Sequence, residues 1–346
     1  MAPYGEKARQ HSRGAIDLSQ GTPVDPTPDF ISGALESASN SPGYPVTTGS
    51  KELRDALIRY CRERLGAEGD FDVLPTIGSK ELVAWLPFLL GSRTVIIPKI
   101  AYPTYRVGGL LAKSEVVEAE IDAKSWPTLD DRSLVWINTP SNPTGRVHDR
   151  TELAAVLQHR ASGAVIASDE CYFSFPDGKV PISTFEVAAG DNKNLLVVHS
   201  LSKRSNIAGY RGAFVAGDAA LIRSLLEIRK HAGMMMPAPI QHATAIALGD
   251  EGHVEVQAGR YAARRAALRP VLESLGFTVE YSEAGLYIWC SNGSSDWDQV
   301  DWFAERGVIV TPGRFYGAAG ERHIRIALTA SDDAIAEVLS RIAPVA

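Results

Sequence analysis

Lys203 lies in "VVHSLSKRSNIAGYRGAFVAG", residues 197–217, just past an apolar run, and Arg211 follows beside glycines before a second apolar run begins. A lysine after a strand is usually solvated. A wall that partly buries it would favour the neutral amine, and a neutral amine can form a Schiff base with a carbonyl compound. The hydroxyls of Ser200 and Ser202 and the turn backbone could hold a phosphate, with Arg211 as a countercharge of fixed geometry. Asp169 closes the apolar run "AVIASD". It could merely cap the next loop, or it could hold a protonated ring nitrogen. Tyr172 and Asn142 could hydrogen-bond a ring oxygen, and Tyr102 could pack in the core or stack on a flat ring. Amine, carboxylate and phosphate site together suit pyridoxal 5'-phosphate, whose ring draws electrons from a substrate α-carbon. Arg325, in "HIRIAL", reads either as a solvated edge residue or as a bidentate clamp for an α-carboxylate.

Other chemistries fit less well. "IGSKEL" at 77–82 lacks the GxxxxGK[ST] pattern, although backbone N–H groups there could still face a phosphate at a helix N-terminus. His231, His242 and His253 are separated by glycines and prolines that break any common helix, so no metal site is expected. His199 adjoins Ser200, but GxSxG is missing. Cys61, Cys171 and Cys290 are far apart and odd in number, which excludes a disulfide framework and points to the reducing cytoplasm. The net charge is only -6 with no basic tail, so no nucleic-acid partner is expected. No run approaches the length of a membrane span. The opening "MAPYGEKARQHSRG" lacks an apolar signal core and reads as a mobile or crossing arm.

These residues need a scaffold. With 346 residues, 45% of them hydrophobic, the chain can bury two cores or one large one. "SKELRDALIRYCRERLG" reads as an amphipathic helix capped by Ser50, and "TIGSKELVAWLPFLLG" as a glycine turn opening another. Six apolar strands follow, in "RTVIIP", "SEVVEAEI", "SLVWIN", "GAVIASD", "NLLVVHS" and "GAFVAG", with a helix near 150–159. Continuous apolar strands with crossovers predict a mostly parallel sheet sandwiched by helices. Its ligand crevice lies at the carboxyl ends of the strands. Tyr102, Asn138 to Gly145, Asp169 to Tyr172 and Ser200 to Lys203 all fall there. Beyond residue 218 come helices, one of them long with a weak point, and then short strands, which suits a small α+β domain. The expected division is 1–37 as an N-terminal arm with part of the small domain, 38–240 as the large domain, and 241–346 as the small C-terminal domain.

"NTPSNPTG", "SDECY" and "SLSKRSNIAGYRG", in that order, resemble the class I/II, aspartate aminotransferase-like, fold type I pyridoxal-phosphate enzymes over nearly the whole chain. The resemblance implies that Lys203 carries the imine and moves the substrate proton. It implies Asp169 at the pyridine nitrogen, Tyr172 and Asn142 at the ring oxygen, and Tyr102 on the ring face. Ser200, Arg211 and the amides of Ser79 and Lys80 would hold the phosphate. Arg325 would take the α-carboxylate, with Asn142 and the glycine segment at Gly21 beside it. Tyr44, in "SPGYPVTTG", would reach the phosphate of a neighbouring subunit, which implies a homodimer with shared active sites. Lys80 departs from the Gln or Ala of most relatives and alters the charge near the phosphate. The chain is also shorter than many members. Within the family, "DLSQGTPVDPTP", "YPVTTGSKELRDAL" and "LYIWC" resemble the branch that passes an amino group from L-glutamate to N-succinyl-2-amino-6-oxopimelate, releasing 2-oxoglutarate, in lysine and diaminopimelate biosynthesis. Lys99, Arg106 and Arg314 are candidate contacts for the far end of that succinylated dicarboxylic acid or, equally, surface ion-pair partners. The alternatives are a transaminase of aspartate, aromatic or kynurenine type, a lyase or decarboxylase on the same fold, and a non-catalytic binding module.

Overall fold

The computed structural model describes residues 1–343. In chain order its strands are β1 (Ile16–Asp17), β2 (Asp72–Ile77), β3 (Thr94–Pro98), β4 (Glu115–Ala119), β5 (Ser133–Asn138), β6 (Val165–Asp169), β7 (Leu195–Ser200), β8 (Gly212–Gly217), β9 (Thr278–Glu280), β10 (Tyr287–Ser291), β11 (Val308–Ile309), β12 (Thr311–Pro312) and β13 (Ile324–Ala327). The large sheet has the order β2-β8-β7-β6-β5-β3-β4. Strands β3 to β7 pair in parallel, and β8 runs antiparallel to both of its neighbours. Strands β5, β7 and β8 are buried along their whole length, which is why they read as unbroken apolar runs. One apolar core, with Ile96, Ile137 and Phe214, covers one face of this sheet; another, with Leu74, Trp136 and Val198, covers the other. The architecture is therefore α/β, a mostly parallel sheet between helices, joined to a smaller α+β unit.

Strand β2 is absent from the sequence reading. Its "DVLPTI" contains Pro75, which cannot donate to a ladder and argues against a central strand. The structure resolves the conflict by placing β2 at the sheet edge, where only β8 pairs with it.

The smaller sheet, β12-β13-β10-β9, is antiparallel. Its core includes Ile288, Phe303 and Ile326, and Leu18 joins from the N-terminal segment. The long helix Gly252–Ser274 carries Pro270 in its last turns. Where the sequence suggested an arm, Ala2–Arg9 form a helix on this smaller unit. Tyr4 stacks on Trp297 at 5.1 Å, Lys7 pairs with Asp301 at 2.6 Å, and β1 pairs with β11. The signal was Pro3 in the first turn with apolar residues spaced to one face. No helix among the described residues is long and apolar enough to cross a membrane.

Candidate active site

The antiparallel β8 explains why a lysine and an arginine sit between two buried strands. Strand β7 ends at Ser200, and the chain turns through the short helix Leu201–Arg204 and the turn Ala208–Tyr210 into β8. Because β8 runs back, its first residue, Gly212, pairs with Ile77 at the end of β2. Arg211, which precedes it, therefore meets Gly78 and the N-terminus of the helix Ser79–Leu89 on the rim that also carries the ends of β5, β6 and β7. Gly78 has φ +73°, and a Cβ there would lie 2.1 Å from an Arg211 Nη. The positive φ favours glycine, and any side chain there would have to displace that guanidinium. The helix is held in place by Glu81, which accepts from both Nη atoms of the fully buried Arg229 at 2.8 Å.

A cavity of about 440 Å3 opens on this rim. Gly21, Ser79, Lys80, Tyr102, Asn142, Asp169, Tyr172, Ser200, Lys203, Arg211 and Arg325, all candidate site residues, line it. Tyr44 does not line it and is 97% exposed.

The Lys203 pKa is lowered to about 8, chiefly by burial, with Cys171 opposing that fall and Arg325 and Arg211 adding to it. Asp169 is buried. Tyr105 Oη donates to its Oδ2 at 2.8 Å, and the Cys171 amide donates to its Oδ1 at 3.2 Å. Burial raises its pKa, and the hydrogen bonds of Cys171 and Tyr105 work against that rise. Arg325 is buried in the β13 ladder: Nη1 donates to Asn142 Oδ1 at 2.9 Å and Nη2 to the Ser19 carbonyl, while its Nε has no partner among the described residues. The guanidinium lies 4.0 Å from the Tyr287 ring centroid and 5.0 Å from that of Tyr316. Lys80 Nζ is 6.0 Å from the Tyr102 ring centroid.

The sequence reading missed Tyr105, Cys171, Tyr287, Phe315 and Tyr316, all of which line the cavity. The candidate distal cations do not line it. Lys99 pairs with Glu120 at 3.4 Å, Arg106 with Glu118 at 2.5 Å, and Arg314 with the fully buried Asp296 at 2.6 Å.

The donor set suits a phosphorylated, cationic aromatic aldehyde. An anion cradle of helix amides, Ser200 and Arg211 lies at one end. A buried carboxylate short of a countercharge faces the cavity, an amine of lowered basicity lines it too, and Tyr102 offers a ring face.

The Lys203 amine also makes stability depend on pH. Since the folded chain weakens proton binding there, the unfolded chain binds more protons between about pH 8 and 10.5, and the cofactor-free protein gains stability as pH rises across that window. Thermal unfolding of cofactor-free protein at pH 7.5 and 9.5 measures it; Lys203→Met is expected to lose the part of the pH response that wild type shows.

The family model described as aminotransferase class I and II matches residues 13–342. A probable aminotransferase of Mycobacterium tuberculosis is 46% identical over 97% of this chain and 82% of its own length. The 4-dedimethylamino-4-oxo-anhydrotetracycline transaminase of Streptomyces rimosus is 45% identical over 99% and 97%. Among solved structures, a probable N-succinyldiaminopimelate aminotransferase of Thermus thermophilus superposes with a TM-score of 0.89 at 27% identity, covering 99% of this chain and 97% of that one.

Proposed function

We propose, from the premise that this chain belongs to the class I and II aminotransferases and is a pyridoxal-phosphate-dependent transaminase, that it passes an amino group from L-glutamate to N-succinyl-2-amino-6-oxopimelate in a ping-pong cycle serving lysine and diaminopimelate biosynthesis. Bound at this rim, pyridoxal phosphate supplies an electron sink for the pair left on the substrate α-carbon. Lys203 would move the proton between that carbon and the cofactor's C4′, and its depressed basicity, seen in a pKa of about 8, leaves a usable fraction of neutral amine. Asp169 keeps a proton on the ring nitrogen. Tyr172 and Asn142 donate to the ring oxygen, and Tyr102 covers the ring face. The amides of Ser79 and Lys80 hold the phosphate with Ser200 and Arg211. Arg325 receives the α-carboxylate of glutamate and of the incoming keto acid, and Gly21 leaves space beside it. The full exposure of Tyr44 supports a role on the phosphate of a second subunit in a homodimer. Three unpaired cysteines accord with a reducing cytoplasm.

The observation that carries the transaminase reading is the half-buried Lys203 amine in one cavity with Arg211, Arg325 and Asp169. The acceptor rests on weaker support, the likeness to the Thermus structure. A second acceptor class is favoured by the walls. Tyr287, Phe315 and Tyr316 line the cavity, and the three distal cations are held in ion pairs outside it. This suits a bulky aromatic keto compound, as does the likeness to a transaminase named for an anhydrotetracycline.

Enzyme loaded with glutamate and mixed in stopped flow with succinylated acid, oxaloacetate or phenylpyruvate decides between them. Fast recovery of the visible band with the succinylated acid and slow recovery with oxaloacetate is the expected result. A faster response to oxaloacetate overturns the named acceptor, and fastest recovery with phenylpyruvate replaces it with the aromatic class.

A further inference from the structure

Tyr287 is a buried tyrosine on β10 that makes three contacts at once. Strands β10 and β13 run antiparallel with Tyr287 opposite Ala327 and Trp289 opposite Arg325. Tyr287 and Arg325 are thus diagonal neighbours on one face of the ladder, within reach of long side chains. The guanidinium lies over the phenol ring, 4.0 Å from its centroid. At the other end of the ring, the Tyr287 hydroxyl is 3.1 Å from the hydroxyl of Tyr172. The third contact is with Gly21, where a Cβ would fall 2.0 Å from the Tyr287 hydroxyl oxygen. Gly21 has no left-handed φ, so its lack of a side chain serves space and not backbone conformation.

We propose that Tyr287 is a positioning residue that joins the two halves of the site: its ring carries the carboxylate-binding Arg325, and its hydroxyl donates to Tyr172 and so aims the Tyr172 proton at the cofactor's ring oxygen. The inference rests on the roles given above to Arg325 and Tyr172. A hydroxyl that accepts a hydrogen bond donates its own proton more strongly. Tyr172, held by Tyr287, therefore stabilises negative charge on the ring oxygen better than a free tyrosine would. Gly21 belongs to the same unit, because any side chain there pushes the Tyr287 hydroxyl off Tyr172.

The test is the pH midpoint of the visible absorption of the cofactor-loaded enzyme without substrate, which reports the charge balance at the ring oxygen and is insensitive to packing elsewhere. Tyr287→Phe keeps the ring under Arg325 and removes one hydroxyl. It is expected to raise the midpoint by about half a unit or more, the scale of one hydrogen bond, with the KM for L-glutamate within about twofold of wild type. Tyr287→Leu, which also removes the ring face, is expected to raise that KM about tenfold. Gly21→Ala should reproduce the Tyr287→Phe midpoint. Tyr172→Phe and the Tyr172→Phe/Tyr287→Phe pair should share one midpoint, since the second hydroxyl acts only through the first. An unchanged midpoint in Tyr287→Phe, or shifts that add in the double variant, overturns the proposal. A wild-type protein that develops no visible band with pyridoxal phosphate instead overturns the reading of the site on which it rests.

Discussion

Lys203→Ala is expected to lose nearly all turnover, a fall of at least about 10²- to 10⁴-fold, which is what a positioned general base contributes. The geometry leaves no substitute. Among the described residues lining the cavity, the other cations are Lys80, Arg211 and Arg325. Arg211 and Arg325 are guanidinium groups that stay protonated, and Lys80 is solvent-exposed, with its Nζ 6.0 Å from the Tyr102 ring centroid. A folding defect would not explain the loss. Burial already disfavours the charged amine, since its pKa falls to about 8, so removing it relieves a desolvation cost in the cofactor-free protein. Single-turnover decay of the glutamate signal, with thermal unfolding of the same sample, checks both halves. Activity within tenfold of wild type would return Lys203 to the status of an ordinary lysine behind a strand.

Asp169→Asn is expected to lower the rate of the glutamate half-reaction about 10²- to 10³-fold, the scale of one preorganised electrostatic contact in a site that excludes water. Asparagine keeps the shape, and its Oδ1 can still accept from the Cys171 amide, which now lies 3.2 Å from the carboxylate. What it removes is the charge. Asp169 sits buried with hydrogen bonds from Cys171 and Tyr105 but no cationic partner among the described residues, and with a raised pKa, so its charge is held at a desolvation cost that a cationic ring nitrogen would offset. The same substitution should weaken binding of pyridoxal phosphate, read by fluorescence titration. A half-reaction rate within a few-fold of wild type would mean that the carboxylate merely caps the loop after β6.

Much of this site could be read from the chain because of where parallel sheets put their chemistry. Asn138, Asp169 and Ser200 each close an apolar run, and a run buried on both faces is hard to mistake. Strand ends were therefore visible, and with them the loops on one rim. The aromatic side of the cavity was not. Tyr105 lies in "PTYRVGG" and reads as helix packing; its hydroxyl finds Asp169 across 64 residues of sequence. Tyr287 in "GLYIWC" reads as strand core, and only the β10–β13 register brings it under Arg325. Such residues carry no local signal, because their function comes from a partner set by tertiary pairing. The edge strand β2 was hidden for the opposite reason. It contains Pro75, which local rules count against a strand, and it lies at the sheet edge, where such a proline is tolerated.

The most direct measurement of an imine at Lys203 is to load the protein with pyridoxal phosphate, reduce it with borohydride, digest it and map the product by mass spectrometry. One phosphopyridoxyl group per chain, on Lys203, is expected. Label on another lysine such as Lys80, or no stable label at all, would contradict it.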